Sequence, residues 1–101
     1  MKKKINLTGR LERKRMRRYI IDVREPEEYA TGHVENSLNI PPAELLSGTD
    51  KLNSIPKDAE VILYCKSGSR SNVSKNILES MGYINVINGI NKDHVSAKYG
   101  S

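Results

Sequence analysis

The heptapeptide CKSGSRS, residues 65 to 71, carries the only cysteine of the chain. The apolar run EVILYC leads into it, and the patterned stretch SNVSKNILESMG leads away from it. A thiol at the end of a buried strand, ahead of a helix N-terminus, sits where negative charge is favoured. The backbone N–H groups of Lys66, Ser67, Gly68, Ser69 and Arg70 can curl around the sulfur as an anion nest, with Gly68 allowing a positive φ or a close approach. Arg70 and the helix dipole add positive potential. A free thiol ionises near pH ~8.5 and is mostly protonated at neutrality. Lowering that value by about two units makes most of it a nucleophile. The same cradle suits a negatively charged persulfide sulfur. The competing reading is an inert buried cysteine, which requires no polar, glycine-containing loop with Lys66 and Arg70 directly after it.

The elements that must position this loop follow from the hydrophobic pattern. YIIDV is a short buried strand. EPEEYATG is a helix opened by Pro26 and acidic residues and closed by Gly32. SLNI is a second strand, stopped by Pro41 and Pro42, and PAELLSG a short helix. KLNSIPKDA reads as loop. EVILYC has the continuous apolar character of a central parallel strand. SNVSKNILESMG is an amphipathic helix with Val73, Ile77, Leu78 and Met81 on one face and Gly82 after it. INVIN is a further strand, and GINKDHVSAKYGS a turn with a short last helix. Strands alternating with helices predict an α/β fold: a central, mostly parallel sheet with helices on both faces. Cys65 then lies at the carboxyl end of a strand, where open α/β sheets bind ligands.

A chain of 101 residues is one small domain. One cysteine excludes an internal disulfide framework, and no apolar run is long enough to span a membrane. The N-terminal sequence has no apolar segment after its lysines, so it is not an intact signal peptide. A cytoplasmic location is expected for the sequence as it stands, and a periplasmic one if a leader has been removed. The net charge of +5 is unevenly distributed: residues 1–18 carry +8 and residues 19–101 carry −3. We therefore expect a basic N-terminal arm, 1–18, on a mildly acidic domain, 19–101. Basic arms meet nucleic acid or anionic membranes. Here no aromatic residue interleaves the basic run to stack on bases, and a solvated arm without specific nucleic-acid binding is expected.

The segments IDVREPEEYATGHVENSLNIP, YCKSGSRS and GYINVINGI together resemble the single-domain rhodaneses, sulfurtransferases of the small phage-shock-protein-E type. The resemblance runs from Tyr19 to about Tyr99. It rests on Asp-Val-Arg, Glu-Tyr-x-x-Gly-His, Asn-Ile-Pro and Cys-x-x-Gly-x-Arg in the family's order and spacing. It implies a three-layer rhodanese-like α/β fold. It also implies that Cys65 takes a sulfane sulfur from thiosulfate or a related donor, holds it as a persulfide, and passes it to cyanide or a thiol, including a thioredoxin-like acceptor. No cofactor and no metal are implied, and a monomer is expected. The chain departs from the family pattern at Asn36-Ser37, where Gly-Ala is usual, and at Asn88-Gly89 and His94, where Gly-Gly and a later Trp are common.

The resemblance and the residues together assign roles. Cys65 is the nucleophile. Lys66 and Ser67 either meet the donor's sulfonate or are solvated. Arg70 either binds the donor or pins the loop to a carboxylate, and the resemblance favours pinning. Ser71 caps the helix or donates to the loop. Asp22 and Arg24 end the first strand on the side of the sheet that carries Cys65 and either touch the site or, the favoured role, hold the adjacent loop, with Glu28 as the partner of Arg24. His33 is structural, and His94 has no partner set; their spacing with Cys65 matches no metal-ligand pattern. Four residues separate Cys65 from Arg70. The related phosphatases and arsenate reductases use one more, by analogy of fold family, and need a general acid that is not evident here. That chemistry is the alternative, together with a non-catalytic sulfur-carrier, redox-sensing or regulatory module. No second cysteine is present to resolve an oxidised Cys65.

Overall fold

The computed structural model describes residues 17–99. The basic run at 1–16, most of the expected arm, lies outside the described residues. In chain order the elements are β1 (Arg18–Asp22), α1 (Pro26–Ala30), β2 (Leu38–Asn39), α2 (Pro42–Ser47), a 3-10 turn (Asp50–Leu52), β3 (Glu60–Cys65), α3 (Ser69–Ser80), β4 (Val86–Asn91) and α4 (Lys92–Lys98). The sheet order is β2-β1-β3-β4, and each neighbouring pair is parallel. No helix among the described residues is long and apolar enough to cross a membrane.

The period-2 geometry of β3 explains the layering. Val61, Leu63 and Cys65 enter one apolar cluster, with Ile21, Leu45, Leu52, Leu78 and Tyr83. Ile62 and Tyr64 enter the other, with Val34 and Val95. Successive side chains of a strand point to opposite faces, so β3 must be apolar from Val61 to Cys65, and it is. The α2 and α3 helices cover the first face, and α4 covers the second. This is the α/β arrangement the pattern predicted.

Four boundaries or faces differ from the expectation. The first strand begins at Arg18, inside the expected arm, and the Glu60 N–H donates to the Arg17 carbonyl at 2.8 Å. A single 3-10 turn occupies part of the expected loop at 51–59. The buried stripe of α3 is Ser71, Ser74 and Leu78, with Ile77 partly buried, whereas Val73 is 51% and Met81 39% exposed. Small serines lie against the sheet because α3 starts at the cysteine loop and must approach the strands closely. The last strand does not turn at Gly89 but runs on to Asn91. It does so through a bulge: Leu63 pairs with Asn88 but Cys65 with Asn91, so β4 uses one residue more than β3. Ile90 takes φ +76° there, rare for a β-branched residue. A side chain at Gly89 would meet Val95 at 2.5 Å and the Leu63 carbonyl at 3.0 Å, so only glycine fits under α4.

Candidate active site

The parallel register brings the carboxyl ends of β1, β3 and β4 to one edge of the sheet. Asp22 lies opposite Tyr64, and Cys65 opposite Asn91. The chain then leaves β3 through Lys66-Ser67-Gly68 and enters α3 at Ser69. Gly68 stands before the helix with φ +99°, the left-handed conformation that glycine adopts without strain. That turn aims its N–H at the thiol: Gly68 N donates to Cys65 Sγ at 3.0 Å. The Ser71 Oγ lies 3.6 Å from the sulfur. Cys65 is only 1% exposed. Burial pushes the thiol up, but the N–H and hydroxyl of Ser71 and the N–H groups of Ser67 and Gly68 outweigh it, and the thiol lies below its ordinary value. The N–H groups at work are those of Ser67, Gly68 and Ser71.

Arg70 does not point its guanidinium at the sulfur. Its two terminal nitrogens grip Glu28, Nη1 to Oε1 at 2.7 Å and Nη2 to Oε2 at 3.2 Å. This planar fork ties the start of α3 to α1. Arg70 above all, together with the Glu25 N–H, holds the Glu28 carboxyl at about 2. Glu28 is thus the partner of Arg70, not of Arg24 as expected. The reason is reach: Arg24 is fully engaged by its near neighbour Asp22, with Nε to Oδ1 at 3.0 Å and Nη2 to Oδ2 at 2.7 Å, and its Nη2 also donates to the Gly32 carbonyl.

Asp22 is wholly buried, and its charge is answered by Arg24 and by the Tyr64 hydroxyl at 2.8 Å. Burial first, and then Asp22, push the Tyr64 phenol up, so it remains a donor. It accepts in turn from the Val34 N–H. Asn39 Nδ2 donates to the Asp22 and Arg24 carbonyls. Asp22 and Arg24 therefore fix the β1–α1 loop, and Arg24 also borders the sulfur site. His33 stacks on Tyr29, with centroids 3.6 Å apart, and its Nδ1 donates to the Tyr29 carbonyl. His94 is exposed on α4.

Cys65 lines an open depression of about 240 Å³ together with Arg24, Lys66, Asn91, Lys92 and Asp93. With Arg24 already paired to Asp22, Lys66 and Lys92 against the single carboxylate of Asp93 leave the lining net positive, which favours an anionic guest. Lys66 and Arg24 were among the expected residues; Lys92 was not, because only the extended β4 carries it to this edge. Ser67 and Ser69 are exposed, with hydroxyls 3.4 Å apart. A second residue missed in the sequence is Asn88. Its carboxamide donates to the Gly68 carbonyl at 3.1 Å and accepts from the Ser71 hydroxyl at 2.6 Å and from the Ile90 N–H at 3.0 Å. The only signal was a polar residue standing where the resemblance led us to expect glycine.

Comparison with known proteins agrees with this geometry. The family model for the rhodanese-like domain matches residues 6–91. The thiosulfate sulfurtransferase PspE of Escherichia coli is 41% identical over 69 residues, which is 67% of this chain and 64% of that protein. The thiosulfate:glutathione sulfurtransferase of Saccharomyces cerevisiae is 35% identical over 80 residues, 65% of this chain and 55% of that one. The chain thus spans between half and two thirds of these relatives' length. Among solved structures, a rhodanese with anions from E. coli superposes with a TM-score of 0.70 at 34% identity, covering 78% of this chain and 92% of that one. Fold, cysteine loop and sequence match point the same way, and the chain belongs to the rhodanese-like domain family.

Proposed function

We propose that the chain is a sulfurtransferase that carries sulfane sulfur on Cys65. The observation that carries this reading is the cysteine itself: a thiol that accepts the Gly68 N–H and is held below its ordinary value by loop N–H groups, in a depression it shares with Lys66 and Lys92. The Cys65 thiolate attacks the outer sulfur of thiosulfate. A Cys65 Sγ–S bond forms, the S–S bond of the donor breaks, and sulfite leaves with the electron pair. The donor's sulfonate is received by Lys66, with Arg24 and Lys92 at the rim and Ser67 on the loop. The persulfide's outer sulfur then takes an electron pair from cyanide or a thiolate, a small thiol or a thioredoxin-like protein. Its bond to Sγ breaks and the Cys65 thiolate returns. The same N–H groups thus serve the sulfur as nucleophile and as leaving group. Two relatives bearing thiosulfate sulfurtransferase names support the donor class.

The test is an intact mass after incubation with thiosulfate. We expect a gain of one sulfur atom, lost again on adding cyanide with formation of thiocyanate. A protein that gains nothing from thiosulfate at neutral pH sinks the thiosulfate reading.

A further inference from the structure

The Ser71 hydroxyl is fully buried and has one proton for several acceptors. The Gly68 carbonyl lies 3.1 Å from it, but that oxygen already receives the Asn72 N–H at 2.9 Å and the Asn88 Nδ2 at 3.1 Å. A carbonyl oxygen has two lone pairs, and the two amides fill them. Two destinations remain: Asn88 Oδ1 at 2.6 Å and Cys65 Sγ at 3.6 Å. The Asn88 carboxamide cannot simply turn over, because the Ile90 N–H fixes its oxygen and the Gly68 carbonyl fixes its nitrogen. The bulge and the positive φ of Ile90 create this arrangement by folding the Ile90 N–H back onto the side chain two residues earlier.

We infer that Asn88 is a positioning residue that acts through Ser71, competing with the sulfur for the Ser71 hydroxyl proton. While Cys65 is a thiolate, its charge draws the hydroxyl toward the sulfur. When Sγ is uncharged, the proton rests on Asn88 Oδ1. On the reading of Cys65 as sulfur carrier, a persulfide moves the negative charge to the outer sulfur, and the proton returns to Asn88 at that step. No covalent bond to hydrogen breaks; the hydroxyl only rotates. The other charged groups around the sulfur are Arg24, Lys66, Lys92 and Asp93 at the depression, and Arg70 with its partner Glu28. They set a background that substitutions at positions 71 and 88 leave in place.

The test is the rate of thiol alkylation against pH for the full chain and for Asn88→Ala, Ser71→Ala and the double variant. Asn88→Ala removes the acceptor at 2.6 Å and, by freeing the Gly68 carbonyl of the Asn88 amide, leaves that carbonyl at 3.1 Å as the weaker competitor, so the midpoint should fall, by at most roughly 0.4–1 unit, the worth of one hydrogen bond. Ser71→Ala should raise it. In the Ser71→Ala background the substitution at Asn88 should no longer move it. A rise in Asn88→Ala, or an equal shift with and without the Ser71 hydroxyl, overturns the inference. If Asn88→Ala does not fold, the nearly isosteric Asn88→Asp decides: it should raise the midpoint more with Ser71 present than without, and equal rises overturn the inference. Alkylation needs no sulfur donor, so these midpoints judge the proton competition even if thiosulfate fails to load Cys65; loading, read by mass on the same proteins, judges the function.

Discussion

At the scale of single residues, the site is a thiol and the few groups that touch it. Cys65→Ser should abolish sulfur loading and transfer to cyanide while circular dichroism stays unchanged, since the chain has no second thiol; retained transfer would remove Cys65 from the mechanism. The wild-type alkylation midpoint should lie clearly below the ~8.5 of a free thiol. The sign follows from the loop: its N–H groups favour the anion in the folded state, so reactivity appears at lower pH than in a free peptide, and the thiolate stabilises the fold above the unfolded value and ceases to do so as pH falls through the lowered one. A midpoint at the free-thiol value would mean that burial wins over the loop. Cys65 was legible in the sequence because a strand, a glycine loop and a helix start are local signals. Asn88 and Lys92 were not, because what brings them to the sulfur is the bulge at Gly89-Ile90, a tertiary accommodation to α4 that no local pattern announces.

At the scale of elements, α3 carries the clearest lesson. Its apolar spacing placed Val73 and Met81 on the buried face, yet the helix buries Ser71 and Ser74 instead. Hydrophobic periodicity assumes that burial selects apolar residues; close to a loop that must reach the sulfur, small size is selected as well. Leu78→Ala should therefore cost ~2–5 kcal/mol by emptying a fully buried position. Val73→Ala, on the solvent side, should stay within ~0.5 kcal/mol. Similar losses at both positions in chemical denaturation would return Val73 to the core. The strand and helix order, by contrast, was readable, because the inner residues of β1 and β3 are apolar on both faces, α1 and α2 start with proline, and α3 follows glycine.

The fork between Arg70 and Glu28 joins α3 to α1, and it titrates. Glu28 is held at about 2, below the ~4.3 of an unfolded glutamate. A depressed carboxyl stabilises the fold above the unfolded value, and the contribution is lost as pH falls from about 4.5 through about 2. Both side chains are about one third exposed, so solvent screening limits the pair to about 1 kcal/mol or less. Glu28→Gln keeps an acceptor for the Glu25 N–H but loses the charge. Its stability should be slightly lower than wild type at pH 7 and equal to it near pH 2. A gap that persists unchanged at pH 2 would show that the pair contributes through shape and not through charge.

At the scale of the whole molecule, charge and fold divide the chain at different places. Residues 1–16 carry +6, and the remaining 85 carry −1. The first strand starts at Arg18, which pairs with Glu60 at 2.6 Å and lies over the Tyr99 ring, while the Arg17 carbonyl accepts the Glu60 N–H. The boundary we propose therefore falls before Arg17. Removing 2–16 should leave the thiol midpoint and the melting temperature nearly unchanged. Removing 2–18 also takes away the bond from the Glu60 N–H to the Arg17 carbonyl, the bond from Arg17 to the Tyr19 hydroxyl, and the Arg18 contacts with Glu60 and the Tyr99 ring, together about 1–3 kcal/mol, which in a domain of this size lowers the melting temperature by several degrees. Retention on a polyanion should fall steeply with salt for the full chain and be absent once 2–16 are gone, since the remaining residues carry a net −1. The family match begins at residue 6, which makes the comparison decisive: if the shorter deletion lowers the melting temperature as much as the longer one, residues 6–16 belong to the fold, and the basic run is not an arm.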